Sequence, residues 1–317
     1  MFRLFYNFLR NIKSEIRQFF FLHKYRKDTP ESTWKFYNQM KYLYRNEFIK
    51  RENFSNSIES SEYTKILDYK GFVKININDI SKKKEFINSL KKFRGKFDQI
   101  NFSNEKSLQK KSYLIQYNFE FNNDAKNLAD PFVDIVTKYL GTLPILDSLQ
   151  MWYSPNESSE LSGSRSLHRD PEDFKQVKIF IPIEEIQLEN GPLNVINKDE
   201  SKLLYDDLVK KNLVTKRNQK IDDKYAKDLN LNSHQILLKN DECALVDTCA
   251  CYHYGSRKSS KPRKILFLHF TSAFSAKTPI FRKYDTENKF FSDKDKLIYG
   301  LQKKTINHFK KRQYLTI

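Results

Sequence analysis

The chain has 317 residues, of which 39% are hydrophobic and 15% aromatic, enough for one large domain with an appendage or for two small ones. A wholly disordered polypeptide is thereby excluded despite 30% charged residues. Seven glycines and nine prolines exclude a collagen-like or low-complexity protein, and no stretch approaches the roughly 20 uncharged apolar residues that a membrane-spanning helix needs. The net charge of +18 is unevenly spread: residues 1–50 hold 11 Lys/Arg against 4 Asp/Glu, residues 255–317 hold 16 against 4, and the middle, with 30 against 31, is nearly neutral. A basic face for an anionic surface or substrate and a pair of solvated terminal helices both account for this distribution.

In chain order, Leu4, Phe5, Phe8, Leu9, Ile12, Ile16, Phe19 and Phe20 recur at helical spacing, with Arg and Lys mostly on the other face. Such a basic amphipathic helix either docks on its own domain or lies on an anionic membrane. Arg3, Arg10, Lys13, Glu15 and Arg17 interrupt every apolar core that a signal peptide would need, so a cytoplasmic protein is expected, with peripheral membrane contact as its variant. Cys243, Cys249 and Cys251, an odd and clustered set, agree with a reducing compartment. A second helix is predicted after Pro30, across STWKFYNQMKYLYRNEFIKR, and the polar stretch 51–62 reads as a linker.

Residues 65–78 read as a helix end, a turn at Gly71 and a strand. A helix follows over 80–94, then strands near 112–121 and 147–154, with a helix from Pro131 to Leu140 closed by Gly141 between them. Beyond residue 164 strands dominate: 177–186, 192–196, 242–247 and 263–274. The last is apolar on both faces and should be buried on both. The lysine-rich insertion 198–233, helical over SKLLYDDLVKKNL, is either a lid or a surface excursion. The expected organisation is a basic helical extension over 1–60, a main domain over 61–275 and a basic extension over 276–317. The main domain is mainly β with flanking helices, built as a double-sheet barrel or jelly roll.

Two of the six histidines have telling surroundings. In His168-Arg169-Asp170, ahead of a predicted strand, side chains two apart point the same way, so His168 and Asp170 can share one metal ion. His253, 85 residues on and after another strand, is the natural third ligand. Two imidazoles and one carboxylate on one face of an octahedron leave the opposite face open, which is the design of non-haem Fe(II) oxygenases. Arg263 opens the buried strand ten residues later. A cation there needs an anionic partner, and the C5 carboxylate of 2-oxoglutarate suits a bidentate guanidinium contact. Cys249-x-Cys251-x-His253 raises a competing zinc reading, weakened by the lack of a second pair of ligands.

From Leu67 to Phe274 the chain resembles the phytanoyl-CoA dioxygenase-like family of Fe(II)/2-oxoglutarate oxygenases. The resemblance is carried by Asp68-Tyr-Lys-Gly71-Phe72-Val73, Gln150-Met-Trp-Tyr-Ser-Pro155, His168-Arg-Asp170, Glu189-Asn190-Gly191-Pro192-Leu193, Asn240-Asp241, His253-Tyr-Gly255-Ser256 and Arg263. It departs from the pattern at Asn240, where the family has glycine, and at Ile196-Asn197-Lys198, where a "PGSH" segment is usual. The resemblance implies a cupin-like double-stranded β-helix with iron held by His168, Asp170 and His253, and 2-oxoglutarate bound by Arg263. Gln150 and Phe180 would border the co-substrate. Oxygen consumption, release of succinate and hydroxylation of a small or carrier-attached metabolite would follow. The carboxylate of Asp170 favours hydroxylation, since halogenating relatives carry Ala or Gly there. Tyr153 and Arg165 are candidates for substrate contact, with a solvent-exposed loop as the alternative at Arg165. Two other readings compete: a protein-directed hydroxylase docked through the basic termini, and a non-catalytic scaffold retaining the fold. Nucleic-acid modification is disfavoured, because residues 151–200 hold 5 Lys/Arg against 10 Asp/Glu.

Overall fold

The computed structural model describes residues 30–43, 45–100, 109–111, 114–118, 122–155, 163–213, 220–257, 259–273, 275, 283–284, 292–299 and 301–302. The expected N-terminal amphipathic helix and most of the basic C-terminal extension lie outside them. Helices α1 (Pro30–Leu43) and α2 (Arg45–Asn56) come first. The linker expected over 51–62 is displaced by the second half of α2, because Arg51 is fully buried rather than solvated. Its guanidinium donates to Glu47 Oε1 (2.8 Å) and to the carbonyls of Leu143 and Leu297 (both 3.1 Å), tying α2 to two distant segments. Phe36, Tyr37, Met40 and Phe48 form a small core with Phe174 and Ala273, which seats α1 and α2 on the main body.

Helix α3 (Glu62–Lys70) is capped by Ser61, whose side chain accepts from the Thr64 amide, and ends at Gly71 with φ +80°. A Cβ at Gly71 would also lie 2.3 Å from Cys251 Sγ, so glycine is needed there for both conformation and space. Strand β1 (Phe72–Asn76) and helix α4 (Lys83–Gln99) follow, then β2 (Gln109–Lys111), β3 (Leu114–Asn118) and α5 (Asn123–Leu140). Pro131 lies inside α5 rather than opening it, because Asn122 caps the helix nine residues earlier by accepting from the Ala125 amide. The rest comprises β4 (Ile145–Ser154), β5 (Gln176–Pro182), β6 (Leu193–Ile196), α6 (Lys198–Lys210), α7 (Lys224–Asp228), β7 (Ser233–Ile236), β8 (Glu242–Val246), β9 (His253–Tyr254), β10 (Arg263–Thr271), β11 (Lys283–Tyr284), α8 (Asp293–Tyr299) and β12 (Leu301–Gln302).

Seven strands form one antiparallel sheet in the order β1-β8-β5-β10-β4-β3-β2, and three form a second in the order β7-β6-β9. Strand alternation divides the large sheet into two working faces. Leu149, Met151, Val177, Ile179, Ile181, Leu245, Leu266 and Leu268 pack with α3, α4, α5 and α8 in the main core. From the other face Phe180, Ala244, Val246, Ile265 and Phe267 meet Leu193, Val195 and Ile236 of the small sheet. Strand β10 is therefore buried on both sides, as its double apolar pattern requires. The insertion 198–233 is packed: Leu204, Tyr205, Leu208, Ile221 and Ala226 share a core with Leu167, Ile196 and Tyr252, directly behind the His168 and His253 segments.

Candidate metal centre

His168 and His253 lie opposite each other in an antiparallel bridge, each amide donating to the other's carbonyl (3.1 and 2.9 Å), with ring centroids 4.4 Å apart. His253 is held in turn by β6, where Val195 is its partner. The segment carrying Asp170 is fixed by its amide, which donates to the Thr248 carbonyl at 2.8 Å. His168, Asp170 and His253 thus form a cluster whose ligand atoms all lie within 4.8 Å of one another. Nδ1 of His168 faces the Ser166 carbonyl (2.7 Å), and Nδ1 of His253 faces the Cys251 carbonyl (3.0 Å). A carbonyl only accepts, so Nδ1 is the donor in each ring and Nε2 is the nitrogen turned toward the cluster. Each Nε2 stands 3.7 Å from an oxygen of Asp170: His168 from Oδ1, His253 from Oδ2. The donor set of two imidazoles and one carboxylate fits a divalent first-row ion.

The central residue of the tripeptide points the other way. The Arg169 guanidinium lies 4.9 Å over the Tyr205 ring and 5.4 Å over the Tyr252 ring, so α6 clamps the ligand segment from behind. Ser201, also on α6, accepts from the Tyr252 amide (2.9 Å), one residue before His253.

Opposite charges meet within the site. Burial alone would raise the Asp170 carboxyl, but the Lys178 ammonium above all holds it well below the usual carboxylate range. Lys178 Nζ donates to Asp170 Oδ2 at 2.6 Å. Burial opposes its charge, yet Asp170 and Glu172 raise its pKa overall. His253 is pushed down to about 4, first by burial and then by His168, and so stays neutral. Gln176 donates to Thr248 Oγ1 (2.6 Å) and reaches Asp170 Oδ2 at 3.5 Å, and its own carbonyl meets His269 Nε2 at 2.9 Å. Nδ1 of His269 lies 3.4 Å from the Asp147 carboxylate.

Arg263, at the start of β10, is buried on the same face of that strand as Phe267 and His269. It donates to the Gly191 carbonyl (2.9 Å) and to Ser256 Oγ (2.7 Å), and its Nε has no partner among the described residues. No acidic side chain among the described residues pairs with it, and burial pulls its pKa down to about 10. A Cβ on Gly255 would stand 3.0 Å from its NH1, so glycine there leaves the guanidinium its space. The Asn190-Gly191 turn and the His253–Ser256 segment thus both build the Arg263 pocket.

Between Arg263 and Lys178 runs an aromatic wall. Trp152 stacks on Phe267 (4.2 Å, 18°), and Phe180 meets Phe267 edge-on at 5.6 Å. Gln150, opposite Phe267 in the β4–β10 register, accepts from Trp152 Nε1 at 2.6 Å. Gln150 and Phe180, both expected near the co-substrate, lie along this wall, and so do Trp152, Phe267 and Lys178, which the sequence pattern alone does not single out. The available signal was parity: Lys178 lies two residues from Phe180 in an otherwise apolar strand, so it shares the same face.

Two expected substrate contacts are placed differently. Tyr153 has the opposite parity to Gln150 and Trp152 and packs in the helix-side core, 6.4 Å from the Phe97 ring, so it faces away from the metal cluster. Arg165 is 2% exposed, which replaces the exposed-loop alternative with a buried 3-10 turn whose carbonyl accepts from Arg257 Nε. The zinc reading fails on geometry: Cys251 Sγ donates to the Lys70 carbonyl (3.7 Å), and neither Cys249 nor Cys251 joins the metal cluster.

No protein-family model matches the sequence, and no curated protein matches it. Solved structures align with the chain at low identity and with TM-scores below 0.5. EctD from S. alaskensis with 2-oxoglutarate and 5-hydroxyectoine is 12% identical, with 69% of this chain and 78% of that one aligned at a TM-score of 0.48. HygX from Streptomyces hygroscopicus with nickel and 2-oxoglutarate bound is 14% identical (68% and 88% covered, TM-score 0.46). The epimerase SnoN in complex with Fe3+, alpha ketoglutarate and nogalamycin RO is 9% identical (67% and 82% covered, TM-score 0.47). No helix among the described residues is long and apolar enough to cross a membrane.

Proposed function

We propose that the chain is an Fe(II)- and 2-oxoglutarate-dependent dioxygenase that hydroxylates a small or carrier-attached metabolite, and that its two facing sheets are a double-stranded β-helix. The observation that carries this reading is the cluster itself: two imidazoles that present Nε2 and one carboxylate converge from two neighbouring segments. A ligand cage of that composition suits iron with open coordination positions. The buried Arg263, short of an anionic partner, supports a dicarboxylate co-substrate.

In this reading the bound iron supplies oxygen activation, with the balance substrate C–H plus O2 plus 2-oxoglutarate giving substrate C–OH plus succinate plus CO2. The protein's own residues divide the remaining work. His168, Asp170 and His253 hold the metal. Arg263 takes the distal carboxylate of 2-oxoglutarate, and its contacts to Gly191 and Ser256 fix the plane of the guanidinium before the co-substrate arrives. Phe180, Phe267 and Trp152 exclude water from the space between, and Gln150 borders it. Asp170, as a carboxylate, leaves no ligand position for chloride, which favours hydroxylation over halogenation.

The test is an anaerobic titration of the metal-free protein with Fe(II) and 2-oxoglutarate, watching for the visible charge-transfer band of a chelated keto acid. The band is expected in the wild type, and its loss is expected in His168→Ala. A folded wild-type protein that binds neither component would overturn the proposal.

A further inference from the structure

The position of Lys178 is not explained by ligation or by packing. Its ammonium group contacts the very carboxylate that a metal would use, at 2.6 Å from Asp170 Oδ2, with a side chain only 11% exposed. Its other close neighbour is the face of Phe267, with Nζ 5.6 Å from the ring centroid, so it lies between the metal cluster and the aromatic wall. The segment opposite offers His269, its register partner across β5 and β10, and the amide of Gln176 lies two residues before it. Asp170 and Lys178 form a carboxylate–ammonium pair whose charges cancel, with the Glu172 carboxylate the next charge acting on Lys178.

We propose that Lys178 is a charge-balancing residue that stands in for the metal when none is bound and couples metal binding to binding of the anionic co-substrate. The inference rests on the iron and 2-oxoglutarate reading above. Its physics is simple. A divalent ion that shares Asp170 with Lys178 meets an ammonium a few ångströms away in a buried site, where like charges repel strongly. Metal binding alone is therefore opposed. With the ion in place, the metal and Lys178 together outweigh the charge of Asp170, and the metal-binding end of an anionic co-substrate offsets the excess. The co-substrate relieves the repulsion, and each ligand strengthens the other by the same factor.

The experiment compares wild type, Lys178→Met and Lys178→Arg, with Lys178→Gln as a second neutral variant should the methionine variant fail to fold. Each is titrated anaerobically with Co(II), followed by its visible absorption and by chelator competition, with and without 2-oxoglutarate. Thermal melting confirms folding. The neutral variants are expected to bind Co(II) alone at least tenfold more tightly than wild type. The strengthening of Co(II) binding by 2-oxoglutarate should shrink by a similar factor, and Lys178→Arg should behave as wild type. Neutral variants that bind Co(II) no more tightly, or that keep the full effect of 2-oxoglutarate, overturn the role of Lys178 while leaving the proposed function intact. A wild type that binds Co(II) or 2-oxoglutarate not at all overturns both.

Discussion

Replacing Arg263 with methionine separates stability from ligand binding, because the two respond to different parts of its environment. Two hydrogen bonds from a charged group, to Gly191 and Ser256, are lost. At about 1.5–3 kcal/mol each, that costs about 3–6 kcal/mol. Against this, the variant no longer buries an uncompensated cation. Burial lowers the guanidinium pKa to about 10, a displacement worth about 3 kcal/mol. The two effects largely cancel, so the urea midpoint of the ligand-free protein should move little, by at most about 3 kcal/mol in unfolding free energy. Ligand binding has no such compensation. Wild type saturated with 2-oxoglutarate at 100 times its dissociation constant, with metal present, should gain about 2.7 kcal/mol. Arg263→Met should gain almost nothing at the same concentration, a loss of affinity of two orders of magnitude or more. Chemical denaturation with and without the co-substrate measures both numbers on one sample. A variant that unfolds far more easily yet keeps the full co-substrate-dependent gain would refute the assignment and make Arg263 a structural residue.

Two further outcomes follow from buried groups. Arg51→Met should destabilise the protein by about 3 kcal/mol or more, because the carbonyls of Leu143 and Leu297 lose their donor in a buried setting, and denaturant unfolding reads this directly. For His253 the folded pKa of about 4 lies below the ordinary value of about 6.5. The unfolded chain therefore takes up a proton that the folded chain refuses, and the metal-free protein should lose up to about 1.4 kcal/mol per pH unit as pH falls from 6.5 to 4. His253→Asn should flatten that slope in a series of urea midpoints, and parallel slopes would count against the buried neutral imidazole.

How much was legible in the sequence depended on whether a residue's partner lay nearby in the chain. The turn at Gly71, the strand at β10 and the H-x-D spacing were readable, because periodicity and parity are local properties. Arg51 was misread, since a charged residue in a polar stretch signals solvent unless its carbonyl partners, 92 and 246 residues away, are known. Tyr153 was misplaced for a different reason. Gln150, three residues earlier on the same strand, has the opposite parity, so expecting both at the site ignored the alternation of β4. Lys178 was overlooked because a lone lysine in an apolar strand reads as an interruption, whereas here it is matched by Asp170 eight residues earlier. The insertion 198–233 gave no sign of its role, since Arg169 meets Tyr205 only in three dimensions.

The three cysteines bear on how such a protein would survive its own chemistry. An oxygen-handling centre of the kind proposed above would endanger nearby sulfur, and the vulnerable form is the thiolate. Cys243 and Cys251 are fully buried, and burial holds both thiols firmly protonated, above their ordinary range. Each is also turned toward a main-chain carbonyl, Ile75 of β1 for Cys243 and Lys70 of α3 for Cys251. The residue that most constrains this arrangement is Gly71, whose missing side chain makes the space that the Cys251 sulfur fills. The same glycine that ends a helix thereby gives a thiol a shelter from oxidation two residues along the chain from a metal ligand.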